Sequence, residues 1–108
     1  MSADYQFIDD MAAQVEIPKD GIICRTLRSD DRCRIVIFGF ATGQELTEHT
    51  SSMAAIIHIL RGEARLNLGG DDREAAAGTW AYMAPNLPHT VVATTPVVML
   101  LTMLKGPG

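Results

Sequence analysis

Cysteine is scarce: 108 residues hold only Cys24 and Cys33. The pair is not spaced for zinc, and no further cysteine could complete such a site. The two residues flank a predicted hairpin turn at Ser29-Asp30-Asp31, and the expectation is two buried thiols rather than a disulfide. Basic clusters are absent as well. The nine Lys and Arg are scattered, the net charge is −4 and the pI is near 5.2. A nucleic-acid binder would carry a basic face, so that class is excluded. Long hydrophobic runs are missing too. The longest apolar stretch, 91–104, is broken by Thr94, Thr95, Pro96 and Thr102 and is too short to span a bilayer. The first ten residues are acidic where a secretory signal needs a basic start, so the expectation is a cytoplasmic protein without membrane partners. No helix-period segment is long enough to cross between parallel strands, which excludes an α/β fold. Internal repeats and low-complexity tracts are likewise absent.

What is present is a chain 47% apolar and 20% charged, which excludes intrinsic disorder. Its length allows one domain and one core. Residues 1–20 form an N-terminal arm. Phe7, Met11 and Val15 are spaced by four and predict a short helical turn ending before Pro18. Residues 21–105 form the body. There, short β-rich runs recur at near-regular spacing with Gly or Pro between them. Strands are predicted over 22–27, 34–41, 45–50, 54–60, 64–68, 73–77, 80–83, 89–93 and 97–104. Gly69-Gly70 marks a hairpin. The pattern predicts an all-β sandwich or barrel of antiparallel strands.

Three of these strands, 35–41, 54–60 and 97–104, are apolar on both faces. An antiparallel strand with one wet face should alternate. Something therefore covers the outer face; the expected cover is a second copy of the chain, making a homodimer, and the alternative is the first twenty residues folded back over the sheet. If Ala55 points inward, alternation puts Ile57 and Ile59 inside with it and Ile56, His58 and Leu60 on that outer face. Trp80 and Tyr82 share one face, which the sequence does not assign. Arg25, Arg32 and Arg34 are expected on a solvated hairpin surface.

The candidate chemistry lies with the histidines. His49 follows Gly43 by six residues and precedes Gly62 by thirteen. His89 follows a strand opened by Gly78 and a loop, Pro85-Asn86-Leu87-Pro88. On alternation, Thr47 and Glu45 share a face with His49, but Glu45 stands roughly 13 Å along the strand, too far to share one ion with it. Met53, Met83, Met99 and Met103 suit either core packing or a pliable pocket lining.

These spacings resemble the two motifs of the cupin superfamily. The first motif falls on Gly43, His49, Ser51, Ala55 and Gly62; the second falls on Gly78, Ala84, Asn86, His89 and Ala93. The resemblance spans 43–93. It implies a double-stranded β-helix, the jelly-roll barrel of RmlC-like cupins, with a site in the barrel mouth and frequent dimerisation. It also implies a divalent metal (iron, manganese, nickel or zinc) held by two His and a Glu from the first motif and a His from the second. This chain keeps His49 and His89 at two of those positions. It has Ser51 in place of a His and Ala55 in place of the Glu. No strong cofactor is therefore expected, only a weak divalent site on His49 and His89.

The candidate ligand-binding residues are His49, Ser51, Ile57, Met83 and His89. The leading expectation is a barrel that binds a small, largely apolar or carboxylate-bearing molecule in its mouth. Two enzyme readings stand beside it. One is a dioxygenase or isomerase with a reduced two-His metal site. The other is a metal-free enzyme in which His49 or His89 moves a proton with a partner such as Tyr82.

Overall fold

The computed structural model describes residues 4–106 and, for Glu48 and His49, the backbone alone. Nine strands run through it: β1 (Ile22–Ser29), β2 (Cys33–Phe40), β3 (Glu45–His49), β4 (Ala54–Arg61), β5 (Glu63–Leu68), β6 (Asp71–Ala76), β7 (Trp80–Met83), β8 (His89–Ala93) and β9 (Val97–Leu104). A 3-10 turn at Met11–Gln14 stands where the Phe7/Met11/Val15 spacing predicts a helical turn. No helix among the described residues is long and apolar enough to cross a membrane.

The strands form two antiparallel sheets. One has the order β1-β2-β9-β4-β7, the other β3-β8-β5-β6. Chain neighbours are rarely sheet neighbours, so the chain crosses repeatedly between the sheets, as in a jelly roll. The core lies between them and includes Phe40, Ile57, Ile59, Leu66, Val91 and Met99. Burying each such side chain contributes about 1.5–3 kcal/mol. Along β4 burial alternates strictly: Ala55, Ile57 and Ile59 are buried, while Ile56, His58 and Leu60 are half-buried on the other face. The period-two reading of this strand therefore holds.

Local chemistry closes one end of the barrel. Gly62 has φ +84°, and a β-carbon there would lie 1.9 Å from the Pro96 carbonyl oxygen. Only glycine fits that backbone and that space. The adjoining Glu63 N–H donates to Thr95 Oγ1 at 2.8 Å, and Thr94 N–H donates to the Glu63 carbonyl at 3.0 Å.

The outer face of the five-stranded sheet departs from expectation. Over β2 its cover belongs to the same chain. A β-carbon on Gly39 would lie 2.8 Å from the Glu16 carbonyl oxygen and 3.3 Å from Ile17 Cα, so the arm runs directly over this strand. Ile37 and Val98, on the same face as Gly39, are completely buried. Polar clips hold the arm. The β1 register skips at Leu27, and the Leu27 carbonyl accepts from Gln6 Nε2 at 3.0 Å. Arg25 Nη1 donates to the Gln14 carbonyl at 3.2 Å. Arg25 is exposed, as expected of a solvated hairpin residue, and also attaches the arm. Between arm and sheet lies an open cleft of about 680 Å³, lined by Tyr5, Phe7, Ile8, Met11, Leu27 and Ile35 among others.

The thiols depart from expectation too. Both are free, Cys33 is half-buried and Cys24 is exposed. Cys24 pairs with Phe38 on the inner face, but β1 is an edge strand and nothing seals it there.

Candidate functional site

Strand register sets the mouth of the barrel, at the end away from Gly62. In the five-stranded sheet Arg34 pairs with Met103, Met103 with Ala55, and Ala55 with Met83. In the four-stranded sheet His49 pairs with His89, and His89 with Leu68. Both rows lie at the end of their sheet away from Gly62. Alanine at position 55 leaves the wall between Met83 and Met103 hydrocarbon. Met83 is buried and Met103 half-buried. Ile57 lies one inward step deeper and is fully buried in the core cluster.

His89 is the buried polar residue of this end, 6% exposed. Its Nδ1 lies 3.0 Å from the Leu87 carbonyl oxygen. A carbonyl can only accept, so Nδ1 carries a proton, and in the neutral ring Nε2 keeps its lone pair. The ring is held by the loop it bonds. Asn86 sits in the left-handed region with φ 67°. Asparagine tolerates that conformation better than most residues. Asn86 N–H donates to the Ser51 carbonyl at 2.7 Å, and Gly69 N–H donates to the Pro88 carbonyl at 2.8 Å. The loop that carries His89 is thus strapped to the β3–β4 loop on one side and the β5–β6 hairpin on the other.

Ser51 is half-buried in the β3–β4 loop. Its Oγ accepts from Met53 N–H at 3.1 Å, a turn contact within its own loop. The side chain of His49 lies outside the described residues, so the structure speaks only of its backbone. The β3–β8 register shifts between Leu46 and His49. That irregularity breaks the alternation counted back from His49. Leu46 packs against the core, while Glu45 and Thr47 are exposed. Glu45 and Thr47 do not share the inner face, contrary to the sequence reading.

Tyr82 does not reach the mouth. It pairs with Ile56 on the outer face and is 53% exposed, beside Trp80 at 59%. A proton-transfer pair of His89 with Tyr82 is therefore ruled out. Arg34 is exposed, as expected of a solvated residue, and stands in the row of this end. It shares its face of β2 with Phe40, which packs in the core. Its signal was parity: Arg34, Val36, Phe38 and Phe40 alternate through one strand without a bulge.

The implied metal needs a donor set, and the residues present do not supply it. Ser51 and Ala55 occupy two of the four ligand positions, Ser51 Oγ is engaged by a backbone N–H, and Ala55 has no donor. Among the described residues no group of three His, Cys, Asp or Glu could hold an ion. Strong zinc sites use three or four protein ligands.

The family model described as "Cupin domain" matches residues 36–103. Solved structures agree in fold. A conserved protein of unknown function from Streptococcus pyogenes is 27% identical, with a TM-score of 0.86 over 98% of this chain and 93% of that one. A cupin superfamily protein from Desulfitobacterium hafniense is 21% identical, with a TM-score of 0.84 over 89% and 88% of the two chains. An RmlC-like cupin from Shewanella frigidimarina is 21% identical, with a TM-score of 0.79 over 97% and 93%. No curated protein matches the chain.

Proposed function

The chain belongs to the cupin domain family, and from that premise we propose that it binds a small, largely apolar molecule in the barrel mouth without a strong metal site. The observation that carries this reading is the row Met103–Ala55–Met83. Where the metal-binding members place a carboxylate, this wall is hydrocarbon and thioether. Such a lining is pliable and favours an apolar body. At the same end of the barrel, the Leu87 carbonyl holds the His89 ring in one orientation. Pockets of this kind are mostly apolar, with few polar groups fixing orientation. The fold itself does not select a chemistry, so the proposal rests on the lining.

The experiment is NMR of protein carrying ¹³C-methyl methionine. Titration with 1-hexanol is expected to move the Met83 and Met103 methyl signals and leave Met11, on the arm, unchanged. Elemental analysis of protein prepared without chelator is expected to find well below one metal per chain. A stoichiometric metal that survives EDTA dialysis and disappears in His89→Ala would overturn the reading in favour of a metalloenzyme.

The proposal includes a homodimer. Its interface is the part of the outer face that the arm leaves open, centred on Ile56, His58, Trp80 and Tyr82.

A further inference from the structure

Arg34 is a cation with no assigned task. The β2–β9 register runs unbroken from Cys33 to Phe40, so Arg34 takes the same face as Val36, Phe38 and Phe40. Phe40 is a core residue, and Phe38 packs against the core. Arg34 is the last inward position of β2 before the mouth, where Met103 stands beside it and Ala55 beyond. Neighbouring strands are about 4.8 Å apart, so the Arg34 and Ala55 backbones are roughly 10 Å apart, within the span of a long side chain and a small ligand.

The other cations of β1 and β2 are occupied. Arg28 Nε pairs with Asp30 Oδ2 at 2.8 Å, and Arg25 bonds the Gln14 carbonyl. Lys105, at the same hairpin, donates to the Asp30 carbonyl. Asp30, a carboxylate of that hairpin, is taken by Arg28 and by the N–H groups of Arg32 and Cys33. No ion pair or side-chain hydrogen bond of Arg34 exists among the described residues. Its row holds no acidic residue: it runs Ser29, Arg34, Met103, Ala55, Met83. An arginine at an apolar rim lays its stem on hydrocarbon and keeps its planar head at the water boundary. That head presents a fork of donors matched to a carboxylate.

We propose that Arg34 is the specificity residue of the mouth, selecting a monocarboxylate whose apolar body lies against Met103, Ala55 and Met83. This rests on the small-molecule reading above and narrows it to an anionic head. A single guanidinium beside thioethers suits a singly charged carboxylate better than a phosphate, which needs more donors to offset its charge.

The test compares hexanoate, 1-hexanol and inorganic phosphate on wild type, Arg34→Gln and Arg34→Lys, read by the methionine methyl signals. Wild type is expected to bind hexanoate at least tenfold tighter than 1-hexanol. Arg34→Gln should bring the two within twofold by weakening hexanoate. Arg34→Lys should fall between, because it keeps the charge and loses the fork. Arg34 is exposed, so the variants are expected to fold, and circular dichroism checks this. A hexanoate preference that survives in Arg34→Gln overturns the proposal while leaving the apolar mouth intact. Phosphate binding as tight as hexanoate, and lost in Arg34→Gln, overturns the choice of a carboxylate. If no probe moves Met83 or Met103, the mouth reading itself fails and this proposal falls with it.

Discussion

At the scale of single residues, the closed end of the barrel depends on positions where only one side chain fits. Gly62 combines a left-handed backbone with a Pro96 carbonyl 1.9 Å from any added β-carbon. Gly62→Ala must therefore strain φ and push backbone against backbone. The expected cost is about 2–4 kcal/mol, measured by urea denaturation. A loss below about 1 kcal/mol would show that the β4–β5 turn relaxes freely. Gly39 is different in kind. Its space is taken by the arm's Glu16 carbonyl, so its role is close approach of two segments. Both glycines were visible as letters. Gly62 was readable as a turn, because turns are local. Gly39 was not readable as a docking point, because its partner lies more than twenty residues away in the chain.

At the scale of elements, the β1–β2 hairpin is organised by one carboxylate. Asp30 Oδ1 accepts from the N–H groups of Arg32 at 2.8 Å and Cys33 at 3.0 Å. Arg28 adds a hydrogen bond and a charge on Oδ2. These donors, the Arg32 N–H foremost, hold the Asp30 carboxyl at about 2, below its ordinary 3.8. A lowered pKa means that the folded state favours the ionised form. The stabilisation is therefore complete above about pH 4 and disappears as pH falls through about 2. Asp30→Asn is expected to unfold at lower urea than wild type at pH 6 and to lose less stability on going to pH 2. Parallel pH dependence in the two proteins would remove Asp30 from this role. The turn was expected at Ser29-Asp30-Asp31 from residue types alone. The skipped register in β3 was not, since a bulge leaves no signature in an apolar-polar pattern. It is the bulge that turns Glu45 and Thr47 away from the inner face.

At the scale of the whole molecule, the question is what covers the outer face of the five-stranded sheet. The arm covers β2, burying Ile37 and Val98 within one chain. It leaves Trp80 59% and Tyr82 53% exposed beside half-buried Ile56 and His58. None of these four is an acidic or basic residue of fixed charge, so copies of a chain with net charge −4 can approach through this face with the least repulsion. A two-fold pairing buries the same patch twice and should cover at least ~1,200 Å² in total. Sedimentation at micromolar concentration is expected to give twice the 11.7 kDa chain mass. Ile56→Asp should split the pair, because a carboxylate without a partner is costly to desolvate. A wild-type monomer would overturn the homodimer and leave the aromatic pair without a cover.

The sequence by itself determined the fold class, nearly every strand, the faces of β4 and the family. Each of these rests on short-range chemistry: glycine where φ is positive, period-two alternation, and two motifs of fixed spacing. Outside β4, where the motif position of Ala55 named the inner face, only the tertiary structure decided which face of a strand is inside and what lies against it. Alternation sorts residues into two sets without naming the inner one, and a strand apolar on both sides gives no choice between them. That is why Trp80 and Tyr82 could be paired but not placed. It is why the cover of β2 was expected from a second chain and came from residues 16 and 17 of the same one. Arg34 belongs here as well. In sequence it is one arginine among several near a turn. Only the unbroken register with Met103 carries it to the mouth of the barrel.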